Sequence, residues 1–565
     1  MIKTMGPRRA ATIARIPTAE ESHLIRVLCV LAFVFTVSVV SETQQTRPTA
    51  VTFDRILHSD QEPQNWLTYS GTLSGWRYSP LAQITSANIN ELELEWIWQA
   101  QTAIPGSETT ALVVDGVLYT VQAPNDVVAL DAATGRVSWT YSYIPKNYKV
   151  GYRANRGLAI LGSTLFMGTL DAHLLAIDAL SGKLIWDAKV ADSADPACKE
   201  EQCYSITHAP LVVKDKVIVG PSGGEGLIRG FIAAFDVRTG KEAWRFWTIP
   251  GPGERGSETW SGDSWKTGGG SVWNTGTYDP DLNLTYWGIG NPAPYDATAR
   301  PGDNLYTESV VALDADTGAL KWYYQFTPHD EFDWDSTQVP VLIDVQWQGQ
   351  PRKVMLFANR NGLLYVLDRV TGEFLLGKPF VEVNWMSGFD ANGRPVRATV
   401  ALHTGFDRFD SNGKRLTTSA NPPLKPGPGE LGATNWFPPS YSPKTGLFYV
   451  PAWESSSNPR YSAIRAFDPG TGDRRWEFKK EHAIFKSGAL TTASDLLFAG
   501  VLGQYRPGIS VNGQFYALDA RTGQLLWQRT LPGPVQAGPM SYSVDDKQYI
   551  AVVAGNTLFS YALRR

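Results

Sequence analysis

The run from Ala129 to Trp139, "ALDAATGRVSW", decides the fold. An apolar stretch ends on Asp131, two residues intervene, Thr-Gly follows, and Trp139 closes the unit after three more residues. Asp-x-x-Thr-Gly reads as a turn: the Asp side chain can bond turn backbone, and Gly supplies a positive φ. The flanks then read as two antiparallel strands, ending on an aromatic large enough to pack on a neighbouring unit. The pattern recurs from Ala176, Ala234, Ala312, Ala466 and Ala517, and from Val366 without its Trp. Its Asp residues fall at 131, 178, 236, 314, 368, 468 and 519, with gaps of 47, 58, 78, 54, 100 and 51. Upstream of each hairpin lies another apolar stretch, such as "ALVVDGVLYT" from Ala111. Two hairpins per unit make a four-stranded antiparallel sheet, and a periodic array of such sheets is a β-propeller.

The expected fold is therefore all-β, an eight-bladed propeller. Seven hairpins are visible, and the terminal segments "LELEWIWQA" (92–100) and "YIAVVAGNTLFSYAL" (549–563) are expected to share a closing blade. A gap near 50 is one plain blade, so the long gaps carry insertions at roughly 247–275 and 380–435. One propeller domain over 60–565 follows, although length alone would allow several domains.

Composition agrees. The chain has 565 residues, 43% hydrophobic and 12% aromatic, enough to bury a large core. A net charge of −4 argues against nucleic acid as a partner. Residues 1–41 read as a segment apart. Lys3, Arg8, Arg9, Arg15 and Arg26 precede an apolar run of 14 residues, Val27 to Val40, a length that suits a signal peptide better than a membrane span. An uncleaved N-terminal anchor is the alternative reading. The segment holds five basic and two acidic residues, so cleavage would take the charge from −4 to −7. Of three cysteines, Cys29 lies in this leader, and Cys198 and Cys203 form either a small loop disulfide or two free thiols. No C-x-x-C-H haem-attachment motif is present. Nor is there a G-x-G-x-x-G after a strand or a phosphate-binding P-loop, and the glycines at 268–270 read as a loop.

Propellers bind ligands where loops converge on the axis. The polar loops here are "GSETTAL" (106–112), "NRG" (155–157), "GTLDAH" (168–173), "PSGGEG" (221–226), "WKTGGGSVW" (265–273), "GIGNPAPY" (288–295), "TPHDEFDWD" (327–335), "ANRNG" (358–362) and "TNWFP" (434–438). The acidic loop stands out, with Asp330, Glu331, Asp333 and Asp335 inside six residues. Such crowding is unfavourable without a counter-charge.

From about Asn65 to the C-terminus the chain resembles the quinoprotein alcohol dehydrogenases, eight-bladed propellers that hold pyrroloquinoline quinone (PQQ). The hairpin repeat supports only the fold, since other propellers share it. The ordered loops "PSGGEG", "WKTGGGSVW", "GIGNPAPY" and "TPHDEFDWD" carry the specific resemblance. It implies that Glu225, Asn291 and Asp333 bind a metal, a hard oxygen site suited to Ca²⁺ or an ion of similar size. It implies that Trp273 lies flat on the quinone. Glu108, Arg156, Thr169, Ser222, Gly223, Gly224, Arg360, Asn435 and Trp436 match cofactor contacts, as an anionic tricarboxylate quinone requires. Asp333 is the expected general base, and Arg360 the residue that stabilises charge on the reacting quinone oxygen. Asp335 occupies the position at which lanthanide-type relatives carry a second Asp, so the metal is a lanthanide or Ca²⁺. Asp330 and Glu331 are read as loop-turn or rim acids, and the bound metal as the cation that offsets the cluster.

The implied activity is oxidation of an alcohol, primary alcohols favoured, in the periplasm, with electrons passed to a separate cytochrome c; a homodimer is left open. One departure stands out. Relatives carry adjacent cysteines over the quinone just before the "NRG" arginine, and Gly151 and Tyr152 stand there instead. That keeps a sugar or polyol substrate open. Two further readings are a non-catalytic propeller scaffold and a hydrolase using paired carboxylates.

Overall fold

The computed structural model describes residues 50–564 except 103, 105, 147–153, 197, 199–202, 399–426, 430, 455–460 and 504–511. Residues 1–41, Gly151 and Tyr152 lie outside the described residues. No described helix is long and apolar enough to cross a membrane.

Eight antiparallel blades are formed. Blade 1 runs Leu112–Val114, Val117–Gln122, Asp126–Asp131 and Val137–Tyr141. Blades 2 to 7 begin at Ala159, Leu211, Thr277, Val341, Ser440 and Phe485. Blade 8 is composite as expected. Its first three strands are Met540–Val544, Lys547–Ala554 and Thr557–Leu563, and its outer strand is Leu92–Gln99 from the other end of the chain. Ring closure thus couples the two ends of the domain. The longest gap carries a hairpin, Met386–Phe389 with Pro395–Arg397.

The repeat explains the joints. In blade 1, Asp131 Oδ1 accepts from the Ala133 and Thr134 N–H groups and the Thr134 hydroxyl. The tryptophan closing one blade then reaches the next blade's turn. Trp139 Nε1 donates to Ala179 O at 3.2 Å, Trp186 to Val237 O at 3.1 Å, Trp244 to Ala315 O at 3.1 Å and Trp322 to Arg369 O at 3.2 Å. Each ring lies on the turn glycine: at Gly372, φ +80°, a Cβ would stand 2.7 Å from Trp322. Where the repeat lacks its Trp, Leu376 covers Gly472 instead. Trp527 faces blade 8, which has no such turn, and packs on Tyr561; its buried Nε1 has no partner among the described residues.

The segment before the first blade has a role that its sequence did not announce. Residues 66–77 pair with the first strands of five blades. Trp66 exchanges hydrogen bonds with Val113, and Leu73, Ser74, Trp76 and Arg77 carbonyls accept from Tyr278, Leu342, Tyr441 and Thr491 N–H groups. First strands line the axis in a propeller, so this segment crosses the centre of the ring.

Topology also separates the two faces. In an up-and-down blade the entry to the first strand and the link between second and third strands share one end. The Asp-x-x-Thr-Gly turns link third and fourth strands, at the opposite end. Every loop singled out for chemistry belongs to the first end.

Candidate active site

Those loops enclose a cavity of about 580 Å³. Of the residues expected at the site, Arg156, Ser222, Gly223, Glu225, Trp273, Asp333, Asp335, Arg360, Asn435 and Trp436 line it. They come from blades 2 to 6, so closure of the ring is what brings them together.

One end of the cavity is acidic. Glu225 sits on a short 3₁₀ turn, Gly224–Gly226, between Gly223 and Leu227, both at positive φ. A Cβ at Gly223 would lie 2.1 Å from the Cys203 carbonyl oxygen, so only glycine allows this approach. Asp333 is itself left-handed, φ +62°. Arg360 bridges the acids, 2.7 Å from Asp335 Oδ2 and 3.4 Å from Asp333 Oδ2. Burial alone would lower the guanidinium pKa, but Asp333 and Asp335 hold it above the usual value. Burial pushes the Asp333 carboxyl well up, opposed by Arg360 and reinforced by Asp335 and Glu225. Burial and then Asp335 raise Glu225, which bonds Tyr295.

The four crowded acids have distinct partners. Asp330 is buried and accepts from the Phe332, Asp333 and Trp334 N–H groups, at 3.2, 2.8 and 3.4 Å, so it shapes the turn that presents Asp333. Glu331 pairs with Arg397 at 2.7 Å. Asp335 Oδ1 accepts from Trp273 Nε1 at 3.2 Å and the Asn291 N–H at 3.0 Å. Part of the offset expected from a metal is therefore supplied by Arg360, Arg397 and backbone N–H groups.

The other end is cationic. Arg156 pairs with buried Glu108 at 2.8 Å, and its guanidinium lies 4.9 Å from the Trp273 ring and 4.8 Å from the Trp436 ring. Such stacking suits a flat, anionic ligand held beside indoles. Glu108 stands behind Arg156 rather than in the wall. Thr169 is fully buried and donates its hydroxyl to Asp171 at 2.5 Å, away from the cavity. Gly224 and Asn291 lie just behind the wall, with the Asn291 amide oxygen 3.2 Å from where a Gly224 Cβ would sit.

Sequence reasoning missed Thr207, Tyr295, Trp453 and Lys486 in the lining. Tyr295 ends the "GIGNPAPY" loop, whereas Thr207, Trp453 and Lys486 lie outside the loops noted above, and no residue type marks any of the four as inward-facing. Cys203 also lines the cavity, and it is joined to Cys198 in a disulfide, which settles the choice left open between thiols and disulfide.

The unsatisfied atoms test what the cavity can hold. Among the described residues, Asn291 Oδ1 and Asp333 Oδ1 are buried without partners at the acidic end, and Arg156 Nε and Arg360 Nε are buried donors without acceptors. Two orphan oxygens suit a hard cation, and orphan N–H groups suit an oxygen-rich ligand.

The family described as "PQQ: Glucose/ethanol/alcohol dehydrogenase, beta-propeller domain" matches residues 66–399 and 480–550. The chain belongs to this PQQ-dependent dehydrogenase family. Its relatives in the family include the quinohemoprotein alcohol dehydrogenase ADH-IIG of Pseudomonas putida, 37% identical over 90% of this chain and 74% of that one. The quinoprotein alcohol dehydrogenase PedH of P. putida is 34% identical over 90% of this chain and 88% of that one. Among solved structures, a europium-containing methanol dehydrogenase superposes with TM-score 0.80 at 31% identity, covering 90% of this chain and all of that one (100%). Membership makes the chain a PQQ-dependent alcohol dehydrogenase, an oxidoreductase, and excludes the scaffold and hydrolase readings as its main role.

Proposed function

We propose that this chain oxidises a primary alcohol to the aldehyde in the periplasm, with Asp333 as the base. The observation that carries the assignment is the buried Asp333 carboxyl, one oxygen without a partner and the other 3.4 Å from Arg360. A carboxyl raised by burial accepts a proton from a neutral hydroxyl better than an exposed one would. Asp330 fixes the turn, so the base has one orientation. Arg360, which lines the cavity and pairs with both acids, supplies positive charge where negative charge develops on an oxygen.

Glu225, Asn291 and Asp333 would hold the metal, with Asp335 beside them. Among the described residues no group of three His, Cys, Asp or Glu side chains could hold a metal by itself. The Asn291 amide and oxygens of the bound quinone complete the set in this reading. When bound, PQQ would supply a two-electron acceptor for the alcohol's hydride equivalent, and the metal would supply a Lewis acid. Trp273 and Trp436, with Arg156, form the flat walls that orient a planar ring and exclude water.

A lanthanide is the favoured ion. Three carboxylates, Glu225, Asp333 and Asp335, converge on this end of the cavity, and a trivalent ion of calcium-like size gains most from them. The superposable methanol dehydrogenase contains europium. Ca²⁺ is the second reading, since Asp335 is already bonded to Arg360, Trp273 and the Asn291 N–H. A separate cytochrome c is the electron acceptor in this reading. Reconstitution tests the whole reading: the full chain, PQQ and either La³⁺ or Ca²⁺ are assayed by dye reduction with alcohols, sugars and polyols. Primary alcohols with La³⁺ should give the fastest turnover, and a preference for sugars would refute the substrate assignment.

A further inference from the structure

Three cations line the cavity among the described residues: Arg156, Arg360 and Lys486. Two are neutralised, Arg156 by Glu108 at 2.8 Å and Arg360 by Asp335 at 2.7 Å. Lys486 is not. It stands at the start of the first strand of blade 7, Phe485–Thr492, whose other residues are buried. Its ammonium is partly buried and makes no hydrogen bond or ion pair among the described residues. It lies on the cationic side of the cavity, within electrostatic range of both Glu108 and Arg156, and burial pushes its pKa down. An unpaired, desolvated lysine in the wall of a binding cavity is unfavourable in the free protein. An anionic ligand removes that penalty.

We propose that Lys486 anchors the cofactor, its ammonium pairing with one carboxylate of the bound quinone. The proposal rests on the PQQ reading and adds a contact to it. The acidic end, with Glu225, Asp333 and Asp335, repels carboxylates and attracts a metal. The opposite end carries Arg156 already matched by Glu108, so Lys486 supplies its one unmatched positive charge among the described lining residues. The cavity is thus polarised, and that polarity sets which way round an anionic quinone enters. Lys486 is a binding residue here, with no part in proton transfer.

The test is a titration of the full-length, quinone-free chain with PQQ at saturating La³⁺, followed by quenching of tryptophan fluorescence. Lys486→Met is expected to raise the Kd roughly tenfold or more, as loss of a charge-assisted hydrogen bond does, and to flatten the dependence of Kd on salt. Lys486→Arg, which keeps the charge, should stay within about threefold of wild type. The melting temperature of quinone-free Lys486→Met should not fall, because no native partner is lost; Lys486→Gln repeats the measurement with a polar side chain should methionine perturb the strand. A wild-type chain that binds PQQ while both neutral variants bind within about twofold of it overturns the anchor and leaves the cofactor reading intact. A wild-type chain that does not bind PQQ overturns both.

Discussion

Arg360 and Asp335 are joined by a 2.7 Å ion pair whose two side chains are 8% and 5% exposed. A pair this deep is favourable only while both partners are present; removing one leaves an uncompensated buried charge. Asp335 is tied by the same carboxylate to Trp273 and to the backbone of Asn291, so it links the acidic end of the cavity to the aromatic wall. Asp335→Ala is expected to lower La³⁺-supported turnover about tenfold or more, and Ca²⁺-supported turnover much less. Parallel reconstitutions with the two ions measure this, and equal losses would refute a special role in metal choice.

Asp333→Asn keeps an amide oxygen where Asp333 Oδ1 now stands but cannot take up a proton. Turnover should fall by roughly 10²–10⁴, the usual range for loss of a general base. PQQ affinity, read by fluorescence titration, should change far less. A variant retaining a tenth of wild-type kcat would exclude Asp333 as the base.

His208 links folding stability to pH. It is fully buried, receives a hydrogen bond from the Gly220 N–H at 3.0 Å and lies 2.9 Å from the Ala209 carbonyl, an arrangement that fits the neutral ring. Burial pushes its pKa down to about 4, from an ordinary value of 6.5. Below pH 6.5 the unfolded chain takes up a proton that the folded chain refuses, so stability falls with pH from 6.5 to about 4 and then levels for this group. The loss from this one residue is of order 3 kcal/mol. Denaturant unfolding between pH 7 and 4, compared with His208→Asn, should show a shallower slope in the variant.

The blade joints are open to the same test. Trp322 is buried, donates to Arg369 O and covers Gly372. Trp322→Ala should cost about 3–5 kcal/mol. Gly372→Ala should also destabilise, because φ is +80° and the new Cβ would stand 2.7 Å from the indole. Thermal melts of both variants check this; unchanged melting in Gly372→Ala would show that the docking contact is not tight.

The fold was legible because seven of the eight blades write their own turn. Asp131 with Thr134 and Gly135 bonds within four residues, so the signal is local and repeats. The site was legible only through resemblance, since Glu225, Asn291 and Asp333 lie on three different blades and no spacing rule joins them. Asp330 shows the limit on a smaller scale. By sequence it resembles its acidic neighbours, yet burial makes it the residue that bonds three backbone N–H groups. Thr169 shows the converse, a matching position whose hydroxyl is directed to Asp171.

By itself the sequence determined the repeat, the blade count with its shared closing blade, and the set of loops rich in chemistry. Those depend on local turn propensity and on alternating apolar strands, which neighbouring residues decide. Tertiary structure alone decided which side chains face the axis, that residues 66–77 cross it, that Cys203 lines the cavity, and that Lys486 stands unpaired there. Ring closure brings together groups hundreds of residues apart, and whether a charge then meets a partner depends on burial and distance, which no local pattern encodes.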